Sequence, residues 1–242
     1  MTKLTFSNVT YADLRRLVDL SEEVDDSQFV DWLESNVALE SADQAFLADL
    51  AIRHRKNIDA YSEEEVKAKL IIPILNRIDF TVNGFTDWYE RPLHAQFGNT
   101  ELLGTTDYFV ARGEKEPLEP VFFIREFKPA FTNKSPEVQL VAEMLVGFQT
   151  SSLKEMRGAY VTGSIWKFVL MKRLENKYIY YVSQSLDCLR QDDVAQIYGA
   201  LLSLKQTLAG QRRLDSFPRD LQQFERASRF GASHGSDRKN RG

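Results

Sequence analysis

Leu103-Gly104-Thr105-Thr106-Asp107-Tyr108-Phe109-Val110 and, after a turn marked by Gly113 and Pro117, Val121-Phe122-Phe123-Ile124-Arg125-Glu126-Phe127-Lys128-Pro129 decide how this chain is read. Each packs β-branched and aromatic residues into a short run closed by turn residues, the pattern of a strand. Side chains i and i+2 of a strand share a face, so Glu126 and Lys128 are expected to project together and Phe127 to the opposite side. Consecutive strands with a short connection are usually neighbours, which would bring Asp107 close to that pair. Two carboxylates held together repel at low dielectric, and a divalent cation makes the arrangement favourable. Hard oxygen ligands select Mg²⁺ or Mn²⁺, and a metal held by few carboxylates keeps waters that can attack a phosphodiester. Lys128 would sit beside that water to orient it, to neutralise the phosphate or, with a depressed pKa, to act as base. The competing reading is an exposed strand end with a solvated Glu-Lys pair, worth well under about 1 kcal/mol.

The remainder of the chain sets bounds. With 242 residues, 43% of them hydrophobic, it can bury one sizeable core with a helical appendage. A net charge of −4 argues against a generic polyanion-binding protein, so any nucleic-acid contact must be local. The single cysteine, Cys188, excludes an intramolecular disulfide and fits a reducing compartment. Met1 to Ser7 lacks the apolar core of a signal peptide, and no apolar run approaches the roughly 18 residues of a membrane span. A cytoplasmic location with no membrane partner is therefore expected. His54, His94 and His234 show no metal-ligand spacing, and no glycine-rich phosphate loop, nucleophile elbow or Cys-His pair is present.

Helical patterns occupy Tyr11 to Leu20, Gln28 to Glu34 and Ala42 to Lys56, with Thr10, Asp26 and Ser41 as candidate caps. Ser62 is placed to cap a longer helix from Glu63 to Arg77, whose 100° steps put Val66, Leu70, Ile74 and Ile78 on one stripe. Glu63 falls on that stripe and Glu65 points away. Thr81 to Phe97 reads as a strand and its exit, ahead of the two strands quoted above. Ser135 and Pro136 then open a helix with Val138, Val141, Leu145 and Phe148 on one face. Gln139 and Glu143, at i and i+4, stack on another face, which the pattern reads as solvated. Gly158 to Gly163 is a short strand, Ile165 to Leu174 with Lys177 to Gln184 a hairpin, and Asp192 to Leu208 a closing helix. Lys167, Lys172 and Arg173 could touch phosphates or be edge lysines that discourage aggregation. From Gln211 onward the chain is polar and basic, with little to bury, and is expected to be disordered.

On these residues the chain resembles the PD-(D/E)XK nucleases, the restriction-endonuclease-like superfamily. Asp107 matches the motif Asp, Glu126-Phe127-Lys128 matches E-x-K, and Thr106 stands where the superfamily's name has Pro. Glu63 to Leu75 has the form E-x₆-L-I-x-P-x-L and resembles the opening helix of the nuclease domain in type I restriction-enzyme R subunits. Gly163-Ser164-Ile165-Trp166-Lys167-Phe168 is similar to that domain's later strands. With 27% of residues charged, the triplet alone arises by chance, so its placement on successive strands carries the weight. The resemblance implies an α+β fold with three-layer character. It would have an α-β-β-β-α-β core with a mixed central sheet in residues 62–210, after an N-terminal helical segment (1–61) and before a tail (211–242). It further implies Mg²⁺ (or Mn²⁺) held by Asp107, Glu126, the Phe127 carbonyl and Glu63, with Asp107, Glu126 and Lys128 catalytic. Gln139 matches the Gln of the RecB-like Q-x-x-x-Y, with Glu143 replacing Tyr, and joins Lys167 as a nucleic-acid contact. The implied activity is endo- or exonucleolytic cleavage, of DNA, in phage defence or repair. The alternative is a non-catalytic nuclease-like module that binds nucleic acid or a protein partner, and a homodimer stays open.

Overall fold

The computed structural model describes residues 2–34, 37–127, 135–175 and 177–211, with Glu126 and Phe127 described in backbone only. The chain opens with strand β1 (Thr2–Thr5), helix α1 (Tyr11–Leu17) and strand β2 (Asp19–Glu22). Thr10 and Asp13 form a capping box at α1, which satisfies two otherwise orphaned backbone donors. A 3₁₀ turn (Asp26–Phe29), α2 (Val30–Leu33) and α3 (Ser41–His54) follow.

Ser62 and Glu65 form a second capping box, and the helix beyond it runs as α4 (Glu63–Val66), a π turn (Lys67–Ile71) and α5 (Ile72–Ile78). The π turn has a cause in the sequence. Pro73 lacks an N–H, and its ring would clash with the Lys69 carbonyl in a regular α-helix, so the preceding turn widens. Val66, Leu70, Ile74 and Ile78 are all buried, as their spacing predicts.

The remaining elements are β3 (Phe85–Phe97), β4 (Thr100–Arg112), β5 (Pro120–Phe127), α6 (Pro136–Gln149), β6 (Glu155–Thr162), β7 (Ile165–Leu174), β8 (Lys177–Val182), β9 (Leu186–Asp187) and α7 (Gln191–Gly210). Among the described residues these strands form one mixed sheet of order β1-β4-β5-β6-β7-β8-β2, with β3 also on β4 and β9 on β7. From α4 to β6 the order is helix, three strands, helix, strand. The β3-β4-β5 meander is antiparallel, and α6 is the crossover that makes β6 parallel to β5.

The core lies on both sheet faces, as alternation along β4 dictates: Tyr108 and Val110 face one side, Phe109 and Ala111 the other. The first side packs against α2 to α5 and α7 through Trp32, Leu47, Leu70, Ile74 and Leu201. The second packs against α6 and α1 through Leu140, Met144, Phe148 and Leu14.

The first sixty residues depart from the sequence reading in several places; Asp25 and Glu40, rather than Asp26 and Ser41, stand at the cap positions. The helix expected over Tyr11 to Leu20 stops at Leu17, and the segment contributes strands at both ends of the sheet as well as helices. β1 lies parallel to β4, from Thr2↔Thr100 to Thr5↔Leu103, and β2 lies parallel to β8, from Asp19↔Lys177 to Glu22↔Tyr180. The partners of these four-residue strands lie far along the chain, so local periodicity carries no trace of them. Met1–Gln211 forms one compact unit, so the first residue of the expected tail (211–242) belongs to it, and the rest, Arg212 to Gly242, lies outside the described residues. Among the described residues no helix is long and apolar enough to cross a membrane.

Candidate functional site at a fork in the sheet

Asp107 sits where the sheet divides. β3 follows one edge of β4 along its whole length, from Phe85↔Arg112 to Phe97↔Thr100. The other edge of β4 is shared. β5 pairs there up to Tyr108↔Ile124 and β1 pairs from Leu103 back to Thr100, so Gly104 to Asp107 lie between two partners. β5 meanwhile continues beside β6 through Glu126↔Val161 and Phe127↔Thr162. The position on β5 that continues the register opposite Asp107 is Arg125.

Both strands of the β3-β4 pair change phase at this level. Leu102 and Phe109 pack in the same cluster, and so do Trp88 and Ala95. In an unbroken strand, residues seven apart would face opposite sides. The register runs from Tyr89↔Tyr108 to Arg91↔Thr106 and omits the pair between them, Glu90 with Asp107. Glu90 has φ +48, a left-handed conformation that a glutamate adopts at a cost on the order of 1–2 kcal/mol. Gly104 is required nearby, because a Cβ there would run into the Phe6 ring.

Arg125 spans the fork. Its Nη1 donates to the Thr105 carbonyl and to Glu143 Oε1, both at 2.9 Å, and its Nε lies 3.4 Å from Asp107 Oδ2. The Asp107 side chain keeps 25% of its exposure, whereas Glu143 is fully buried. Burial pushes the Glu143 carboxyl up to about 8; Arg125 opposes this without cancelling it, and the Asp107 charge adds to it. Glu143 Oε2 and Gln139 Oε1 are buried without a hydrogen-bond partner among the described residues.

The helix that runs from α4 through the π turn to α5 also reaches this level. Lys67 Nζ lies 2.7 Å from Glu90 Oε1. Burial pulls the Lys67 pKa down, but the Glu90 hydrogen bond and the charges of Glu90 and Asp107 outweigh it and raise the value above that of an ordinary lysine. Glu63, half-buried, is one turn before Lys67 and so shares its helix face. Glu65 faces elsewhere: it takes Lys69 at 2.6 Å and caps Ser62 N at 3.0 Å.

Of the residues singled out in the sequence, Asp107 lies on β4 at the fork, and Glu126 and Phe127 lie on the adjacent β5. The Glu126 and Phe127 side chains, and the whole of Lys128, fall outside the described residues. Among the described residues no group of three or more His, Cys, Asp or Glu could hold a metal ion. Lys167 is on β7 in the row Arg125↔Tyr160↔Lys167, about 10 Å from Arg125 at ordinary strand spacing.

Two sequence readings are corrected. Gln139 and Glu143 do not lie on a solvated face; both are buried, because α6 is enclosed from Val138 to Phe148. Lys167, Lys172 and Arg173 are not edge residues, since β7 runs between β6 and β8. Lys172 donates to Gln28 Oε1 at 2.6 Å and Arg173 to the Phe148 carbonyl at 2.9 Å.

Arg125, Lys67 and Glu90 were not singled out from sequence, and Glu143 was read there only as a replacement for the motif Tyr on a solvated face, although its surroundings carried a signal. It is one of two polar side chains in Val138-Gln139-Leu140-Val141-Ala142-Glu143-Met144-Leu145-Val146-Gly147-Phe148, and a helix apolar on all sides is a buried one. A scan against models of known protein families gives no match to this chain, and a search of curated proteins gives none.

Proposed function

We propose that the chain is a metal-dependent nuclease of PD-(D/E)XK type that hydrolyses phosphodiester bonds of DNA. The observation that carries this reading is the fork: Asp107 stands where β4 parts from β5, and β5 is the strand that ends on Glu126 and Phe127, the residues that precede Lys128 in the sequence. The order helix, three strands, helix, strand supports it, as does the face of α4 and the following π turn that bears Glu63 and Lys67. The donor chemistry suits Mg²⁺ or Mn²⁺, since Asp107, Glu126, the Phe127 carbonyl and Glu63 offer hard oxygen only. When bound, the ion would supply an activated water and offset charge on the phosphoryl oxygens. Asp107 would be a ligand, held in place by Arg125. Lys128 would orient the water, and Gln139 and Lys167 are the further candidates for contact with the nucleic acid.

The test is cleavage of plasmid, linear duplex and single-stranded DNA, and of RNA, with Mg²⁺, with Mn²⁺ and with EDTA. The reading requires metal-dependent cleavage of DNA that Asp107→Ala abolishes. A second reading, a non-catalytic module that binds nucleic acid or a protein partner, draws on Arg125, whose guanidinium already pairs with Asp107. Nucleic-acid binding by folded wild-type protein with no cleavage and no calorimetric signal for either metal would select it.

A further inference from the structure

Among the described residues, Lys67 differs from Arg125, the other cation at the fork. Arg125 is committed to the Thr105 carbonyl, Glu143 and Asp107, which hold its guanidinium inside the fold. The Lys67 side chain is largely covered, with 15% of its area exposed, yet the ammonium's carboxylate partner, Glu90, is 65% exposed. An amine with a buried stem is thus aimed at the surface and capped there by a solvent-facing acid. Glu90 reaches it from a left-handed backbone position at the register level of Asp107. Ion pairs with so exposed a partner exchange readily for another anion. A polyanion drawn to Asp107 also needs a nearby cation to offset repulsion from that carboxylate, and Lys67 lies within electrostatic reach of Asp107.

We propose that Lys67 anchors a backbone phosphate of a nucleic-acid strand at the Asp107 fork, and that Glu90 holds the ammonium until a phosphodiester takes its place. This rests on the nuclease reading and adds to it a phosphate contact supplied by the π turn after α4. Glu90 is the competitor of that phosphate, so the two residues act on affinity with opposite signs.

The experiment is binding of short labelled duplex and single-stranded DNA in EDTA, by fluorescence anisotropy, across about 50 to 200 mM salt, for wild type, Lys67→Ala and Glu90→Gln. Lys67→Ala is expected to weaken binding roughly three- to tenfold and to flatten the slope of log affinity against log salt by about 0.9 on duplex. Glu90→Gln, which keeps the size of the side chain, is expected to tighten binding. Both substitutions break the same ion pair, so a purely structural role moves them in one direction. Weakened binding in both variants, or an unchanged affinity and salt slope in Lys67→Ala, overturns the assignment while wild-type binding and cleavage leave the nuclease reading standing. Wild-type protein that neither binds nor cleaves any nucleic acid with Mg²⁺ or Mn²⁺ overturns both.

Discussion

Helix α6 carries two polar clusters about one turn apart, and they are satisfied to different degrees. At its first turn Glu137 is surrounded by tyrosines: Tyr11 donates to Oε1, Tyr160 donates to Oε2 at 3.0 Å, and the Tyr180 hydroxyl lies 3.4 Å from Oε1 and 3.2 Å from Glu22 Oε2. Tyr11 and Tyr180 also stack with ring centroids 6.3 Å apart. Burial raises the pKa of all three phenols, so each remains a donor at neutral pH. Tyr11 is in α1, Glu22 in β2, Tyr160 in β6 and Tyr180 in β8, so this cluster latches the opening segment onto the sheet. Further along, Gln139 and Glu143 each keep a buried acceptor without a partner among the described residues, beside the fork. Polar groups inside proteins are normally paired, so a saturated cluster is accounted for by stability and an unsaturated one points to a task.

That contrast is broken or sharpened first at Asp107. On the proposed nuclease reading, in which Asp107 would be a metal ligand, Asp107→Ala is expected to lower the rate of DNA cleavage at least about a thousandfold, with the melting temperature within a few degrees of wild type. On the same reading, affinity for DNA in EDTA should hold or rise, since a negative charge has been removed where a phosphate would lie. Cleavage surviving at wild-type rate would move the active site away from the fork.

Glu137→Ala should show the reverse profile. It leaves three buried or half-buried hydroxyls without their common acceptor, which is expected to cost about 2–3 kcal/mol, or roughly 5–10 °C in melting temperature for a unit of this size. DNA cleavage per folded molecule should not change. Loss of activity without loss of stability would make the tyrosine cluster part of the site and dissolve the contrast. Gly104→Ala tests the mouth of the fork by setting a methyl group against the Phe6 ring. A destabilisation of about 1–3 kcal/mol is expected from overpacking, read as a lower denaturation midpoint at unchanged slope.

The two clusters also show what the sequence could disclose. Period-2 runs closed by glycine and proline made β4, β5 and the β7-β8 hairpin legible, and the stripe from Val66 to Ile78 disclosed the first helix and its buried face. The strand carrying Asp107 and the strand carrying Glu126 and Phe127 are adjacent, as their spacing suggested, while Lys128 lies outside the described residues. Neither β1 nor β2 could be found this way, since four residues such as Asp19-Leu20-Ser21-Glu22 become a strand through a partner more than a hundred residues away. The fork was hidden for a related reason. Arg125 crosses it because it continues the register opposite Asp107, and that register depends on the turn between the strands. Lys67 and Glu90 meet across 23 positions, through a backbone twist at Glu90 that no residue preference signals.

The mildest prediction concerns Glu143, and it asks whether the fork is under-satisfied. Burial raises its carboxyl from the ordinary 4.5 to about 8, so the folded state holds this proton more tightly than the unfolded state does. Stability then falls as pH rises between those two values, because ionising Glu143 in the fold costs more than ionising it in the open chain. Below about 4.5 both states are protonated and the penalty is absent; above about 8 it is fully present. Glu143→Gln keeps an acceptor for Arg125 and cannot ionise. It is therefore expected to melt close to wild type at acidic pH and a few degrees above it at alkaline pH, with the gap opening across that interval. Melting curves of the two proteins at closely spaced pH values read this directly. A gap that does not change with pH would mean that Glu143 stays ionised throughout, fully compensated by Arg125. The fork would then be as saturated as the tyrosine latch, and its unpartnered oxygen would no longer distinguish the two clusters.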